Sequence, residues 1–245
     1  MASFFGTIGS ERTRDTFIEK TTNLFASLNP FASRTSTPAS RLFARANPST
    51  LVLLIGLDES GKSTLLREYL SPGPEGVQTL TPRAHIFLEK LRVGPTIYQA
   101  YDIGGCRPTY FMEFEEELFK RADAVIYLVD AADRDRIMEA REELMMHGLT
   151  ANNGGMRQGV PLLVLATKID LENARRPDQI ETYFLDNITT SIGDRPTKVA
   201  GVNLKTGKGV LDALSWLSDT LLNKSSSQLS FGTEKVGLSE KSELV

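Results

Sequence analysis

The segment Thr50–Thr64, TLVLLIGLDESGKST, constrains the fold more than any other part of this chain. An apolar run, Leu51–Ile55, feeds a turn that starts at Gly56 and closes in Gly61-Lys62-Ser63-Thr64, the spacing G-x-x-x-x-G-K-[ST]. Glycines at those positions let the backbone wrap around phosphates with its N–H groups pointing inward. Lys62 is placed to reach the β- and γ-phosphates, and the Ser63 hydroxyl to meet Mg²⁺. Gly56, Asp58, Glu59, Ser60, Gly61, Lys62, Ser63 and Thr64 are thus the expected phosphate-binding stretch. The pattern needs a strand before it and a helix after it. Leu65, Leu66, Tyr69 and Leu70 fall on one helical face and supply the second. A nucleoside triphosphate is the expected ligand.

The rest of the chain supports one α/β domain with appendages, since 245 residues suffice for a good-sized core. A net charge of −3 gives no footprint for nucleic acid, which is not expected as a partner. The single cysteine, Cys106, leaves no intramolecular disulfide and fits a reducing compartment. No apolar run approaches membrane-spanning length.

Three zones separate by composition. Residues 1–48 are rich in Ser, Thr, Phe and Arg, with six basic and three acidic side chains. Residues 49–222 alternate β-rich runs with helical patterns, and residues 223–245 read as a disordered Ser-, Lys- and Glu-rich tail. Strands are expected at 50–56, 85–93, 96–103, 123–130, 160–167 and 197–203, with Gly94-Pro95 turning a hairpin. Helices are expected near 62–70, 110–121, 133–147, 177–186 and 208–222. Strands alternating with helices imply a mostly parallel sheet covered on both faces, with ligands at the carboxyl ends of its strands. Tyr69 and Trp216 read as packing residues on amphipathic helices.

Three further motifs follow in order. Asp102-Ile103-Gly104-Gly105 closes a strand, so Asp102 can hold Mg²⁺ and Gly105 can approach a γ-phosphate. Read alone it is equally an ordinary turn; its weight comes from following a P-loop lysine. Thr167-Lys168-Ile169-Asp170 follows a strand, and a carboxylate at Asp170 can accept from both N1–H and the exocyclic amine of guanine. Adenine offers no matching pair of donors. The Lys168 stem can lie across the base. Asn203-Leu204-Lys205 follows the last strand and can close over the base through backbone amides.

With these motifs assembled, the chain resembles small GTPases, most closely the ADP-ribosylation factor (Arf/Sar) family. The family's GLDxxGK[ST] loop matches Gly56–Ser63, and its WDxGGQ segment matches Tyr101–Cys106. Its VDxxDRxRxxEAxEEL segment is similar to Val129–Leu144, and its NKxDLxNA segment to Thr167–Ala174. The resemblance implies a P-loop NTPase G domain over 49–222, a six-stranded mostly parallel sheet with helices on both faces. It also implies GTP and GDP as ligands with Mg²⁺, and effectors that read switch regions near 77–85 and 102–115. An exchange factor and an activating protein are the implied regulators. Membrane traffic is the implied setting, with a cytoplasmic location, peripheral on Golgi or other endomembranes.

Several positions depart from the family. Cys106 stands where a Gln, or His in the Sar branch, orients the attacking water. A thiol is a weak donor and weak acceptor, so slow intrinsic hydrolysis is expected, with Cys106 and Lys62 the catalytic candidates. The family's switch I Pro-Thr falls on Pro82-Arg83, leaving Thr79 or Thr81 as substitutes. Thr167 replaces the usual Asn, and Glu59 adds a carboxylate to the P-loop; both predict weaker nucleotide affinity. The alternative is a pseudo-GTPase, a nucleotide-loaded interaction module without a hydrolysis cycle. A P-loop kinase or ATPase is disfavoured by Thr167–Asp170.

Family relatives use an amphipathic N-terminal helix. Here Phe17, Ile18, Thr21, Leu24, Phe25 and Leu28 share a helical face, while Ala2 in place of Gly removes the myristoylation signal. Reversible, unlipidated membrane contact is the functional reading, with Arg34, Arg41 and Arg45 assisting. Packing on the G domain, disorder, or a transit peptide are its rivals.

Overall fold

A computed structural model describes residues 50–71, 77–80, 88–93, 96–102, 116, 118–145, 155–185 and 193–234. The N-terminal helix, Thr81, Arg83, Gly105 and Cys106 lie outside the described residues.

Seven strands form one sheet: β1 Leu51–Gly56, β2 Gln78–Leu80, β3 Leu88–Val93, β4 Thr96–Asp102, β5 Ala124–Asp130, β6 Leu162–Thr167 and β7 Thr197–Gly201. Their spatial order is β2-β3-β4-β1-β5-β6-β7. Five of them, β4-β1-β5-β6-β7, run parallel, and β3 pairs antiparallel with both β4 and β2. Each of the six expected strands has a counterpart among the described residues, and the short edge strand β2 adds a seventh. The expected hairpin is there too, with Val93 opposite Thr96.

Parallel strands need crossovers, and the helices supply them on both faces. α1 begins at Lys62–Thr64 and widens into a π-helical turn over Leu65–Leu70. α2 spans Ile137–Glu143, α3 Pro177–Leu185 and α4 Val210–Glu234. Alternate residues of each central strand point to opposite layers. Leu53, Ile55, Tyr127 and Val129 pack with Ile137 and Ala140 of α2 and with Ile180 and Phe184 of α3. Val52, Leu54, Ile126 and Leu128 pack with Leu65, Leu66 and Leu70 of α1 and with Val210, Leu214 and Leu217 of α4. Every residue of β6 is buried, as two covered faces require.

Leu211 of α4 is 45% exposed, while Ala213 is buried in the core. The C-terminal helix spans Val210–Glu234, past the end expected for it at residue 222. No proline interrupts 223–234, and each added residue of a nucleated helix gains a backbone hydrogen bond without repeating the nucleation cost.

The strand order reverses direction at β1: the chain crosses first toward β4, then back to β5 on the other side. Such a switch point opens a crevice at the carboxyl ends of the strands. The loop after β1 lies there.

Candidate nucleotide-binding site

Backbone geometry explains why the loop needs its glycines. Gly56 has φ 150°, and a Cβ there would lie 2.3 Å from the Leu128 carbonyl oxygen of the neighbouring strand. Gly61 opens α1 at φ 99°, where a Cβ would lie 2.7 Å from Leu204 Cδ1. Between them Glu59 is exposed and left-handed at φ 58°, a conformation costly for a residue with a Cβ.

The loop curls around Lys62, which is only 5% exposed. Its Nζ donates to the carbonyls of Gly56 at 2.9 Å and Leu57 at 2.5 Å, and to Ser60 Oγ at 3.2 Å. An ammonium has three donors. Two are spent on loop carbonyls that aim the group inward, and the Ser60 hydroxyl is the weaker acceptor that an anionic oxygen would displace. A glycine-lined cradle around a buried cation fits a phosphate group. Ser63 and Thr64 form the first turn of α1, with Thr64 exposed. The backbone register sets Asp102 directly opposite Gly56, so the strand-end acid lies beside the start of the loop. Thr79 lies in β2 opposite Glu89.

Asp58 turns away from the cradle. Its carboxylate accepts a hydrogen bond from Arg136 Nη2, seventy-eight residues on. That bond, outweighing partial burial, holds the Asp58 carboxyl below its usual range and raises the Arg136 guanidinium in turn. Arg136 also bonds Glu139 through Nε at 3.1 Å.

The two expected base-recognition segments converge on the same loop. Thr167 is fully buried, and its hydroxyl lies 2.9 Å from the Ser60 carbonyl and 3.1 Å from that of Val129. The residue standing where the family has Asn thus ties the phosphate loop to β6. Lys168, left-handed at φ 56°, places Nζ 2.6 Å from Asp130 Oδ2. Asp170 Oδ2 and Lys205 Nζ are 3.5 Å apart, which brings the loop after β6 against the loop after β7. Asn203 Oδ1 accepts the backbone N–H groups of Lys205 at 2.8 Å and Thr206 at 3.1 Å, folding that segment into an Asx turn. The Tyr69 hydroxyl donates to the Leu204 carbonyl at 2.7 Å and fastens the turn to α1.

A match to the ADP-ribosylation factor family model spans residues 38–221. The chain belongs to the ADP-ribosylation factor family. It is 32% identical over 166 residues to ADP-ribosylation factor-like protein 3 of Chlamydomonas reinhardtii, covering 68% of this chain and 87% of that one. To ADP-ribosylation factor-like protein 6 of Danio rerio it is 28% identical over 171 residues, 69% of this chain and 87% of the relative. Membership makes it a divergent small GTP-binding protein of the Arf-like type, built on a P-loop. Proteins of this family bind GTP and GDP, and Arf-like members work with effectors, exchange factors and activating proteins.

Three residues of this Arf-like site had no assigned role in the sequence: Arg136, Asp130 and Tyr69. Arg136 and Asp130 sit inside the matched D-x-x-D-R-x-R segment, so a signal was present, but only the fold brings them to the loops they touch. Tyr69 read as a packing residue; it does pack against the second core layer, and its hydroxyl also bonds across to Leu204. Among the described residues no helix is long and apolar enough to cross a membrane.

Proposed function

We propose that this chain is a guanine-nucleotide switch with slow intrinsic turnover, working in membrane traffic. Gly56–Thr64 cradles the phosphates around Lys62, and Asp170 accepts the two guanine donors. Lys168 and Leu204 flank the base, while Thr167, Asn203 and Lys205 brace it. Ser63 and Asp102 are the protein groups that would hold Mg²⁺, which when bound offsets phosphate charge. The observation that supports this most is the Thr167 hydroxyl 2.9 Å from the Ser60 carbonyl, which couples a base-reading loop to a phosphate loop. A phosphate-only site would have no need of that coupling, and the preference for guanine over adenine rests on the Asp170 carboxylate.

Calorimetry with GDP, GTP and ATP in Mg²⁺ buffer tests the reading. GDP and GTP should bind more weakly than to members carrying Asn at the Thr167 position, and ATP should not compete. Asp170→Asn exchanges an acceptor for a donor, so it should lose guanine and gain xanthine nucleotides. ATP binding as tightly as GTP overturns the assignment.

Slow turnover rests on Cys106, whose thiol orients water poorly. Cys106→Gln should raise single-turnover hydrolysis, and an unchanged rate removes the thiol from the explanation. A pseudo-GTPase is the second reading, favoured by Cys106 together with Arg83 at the switch I position. Nucleotide extracted from the purified protein separates them: GDP marks a hydrolysing switch, and stable GTP marks a loaded module. Switch segments 77–85 and 102–115, Gly105 included, would face effectors, and an exchange factor and an activating protein would drive the cycle. Residues 1–48 would give reversible contact with Golgi or other endomembranes from the cytoplasm. Liposome co-sedimentation of the whole chain, against the chain lacking residues 1–48, tests that part.

A further inference from the structure

The P-loop carries a carboxylate, Asp58, that no phosphate cradle needs. It is 59% exposed and stands four residues before Lys62 in the same loop, and its carboxyl is held low chiefly by the hydrogen bond from Arg136, with only a minor effect from Lys62. A carboxylate within the field of Lys62 is an internal competitor for the cation that phosphates require, and it repels them at the same time. What keeps it from competing is a single guanidinium. Arg136 reaches across from the segment between β5 and α2 and takes the Asp58 carboxylate through Nη2. The other edges of that guanidinium are oriented by its own segment: Nε donates to Glu139 Oε2 at 3.1 Å, and Nη1 lies 4.0 Å from Asp133 Oδ2. Asp133 Oδ1 also accepts the Arg136 backbone N–H at 3.3 Å. Two acids outside the loop therefore fix the fork so that its free nitrogen meets the acid inside the loop.

We propose that Arg136 is a positioning residue for the nucleotide site, which holds Asp58 away from Lys62 so that the phosphates do not compete with the loop's own carboxylate. The proposal rests on the loop being a phosphate cradle. It assigns Arg136 to charge control of the ligand site rather than to packing, and the two roles predict different results.

The test is a double-mutant cycle on the full-length chain, read as affinity for GDP and for a non-hydrolysable GTP analogue. Arg136→Ala should weaken GDP binding about tenfold, and the analogue by more because it carries more charge. Both losses should shrink in high salt. In an Asp58→Asn background, removing Arg136 should change affinity by less than about twofold, because the competing charge is gone. Arg136→Lys should retain most of the affinity. Should Arg136→Ala fold poorly by thermal melt, Arg136→Gln replaces it at nearly equal length without the charge. An equal loss with or without the Asp58 carboxylate overturns the proposal, as does wild-type affinity in Arg136→Ala. Wild-type protein that binds no guanine nucleotide at all fails the cradle reading instead, a distinct outcome.

Discussion

Single atoms decide much at this site. A methyl group on Gly56 would meet the Leu128 carbonyl of the adjacent strand at 2.3 Å, and backbone cannot swing aside as a side chain can. Gly56→Ala should therefore cost about 2–3 kcal/mol and lower the melting temperature, because β1 and β5 must separate. Gly61→Ala meets only the flexible end of Leu204, so its cost is the left-handed backbone, roughly 1–2 kcal/mol. Thr167→Val keeps shape but removes the one hydroxyl proton that the buried Ser60 and Val129 carbonyls share; a loss of about 1–3 kcal/mol in chemical denaturation is expected. Asp58 sets a pH dependence. Its folded carboxyl titrates below its unfolded value, so the Arg136 pair adds stability above the ordinary carboxylate range, and that increment disappears as pH falls through the lower, folded value. The Asp58 side chain is 59% exposed and that of Arg136 35%, so water screens the pair and the increment is small. Acid titrations of wild type and Arg136→Ala should differ in stability above the carboxylate range and converge below it.

At the scale of elements, the site is held by loops that fasten to one another and to α1. The Tyr69 hydroxyl bond to Leu204 joins α1, which follows the phosphate loop, to the Asx turn after β7. Tyr69→Phe keeps the ring against the core and removes that one bond. GDP release should quicken by roughly three- to tenfold, as the loss of one hydrogen bond allows, with little change in melting temperature. Release at the wild-type rate would mean that the turn holds its place without α1. The element itself shows where pattern reading stops. Leu65, Leu66 and Leu70 are buried as a helical face predicts, but the Ser71 N–H bonds Leu66 O at 2.8 Å, a π-type closure. The apolar spacing of Leu65–Leu70 is satisfied by either helical turn, so pattern alone could not choose between them.

The described residues build two apolar layers on one sheet. Phe184 and Tyr127 meet across the layer beneath α2 and α3, with ring centroids 6.0 Å apart and both side chains fully buried. Phe184→Ala should cost about 3–5 kcal/mol in urea unfolding, because neighbours anchored on a sheet and two helices cannot collapse into the space. The loops after β1, β6 and β7 lie at the carboxyl ends of these parallel strands, while β2 and β3 extend the sheet beyond β4.

What the amino-acid sequence determined by itself was local and periodic: the glycine loop, the strand and helix alternation, the order of motifs, and the family they share. Those follow from backbone sterics and from apolar spacing, which act over a few residues. The long-range pairings were decided only in the folded chain. Arg136 on Asp58, Thr167 on Ser60, Lys168 on Asp130 and Tyr69 on Leu204 join residues whose separation in sequence carries no information about distance. A hydrogen bond or ion pair needs its atoms within about 3 Å, and only sheet register and helix packing bring remote segments that close.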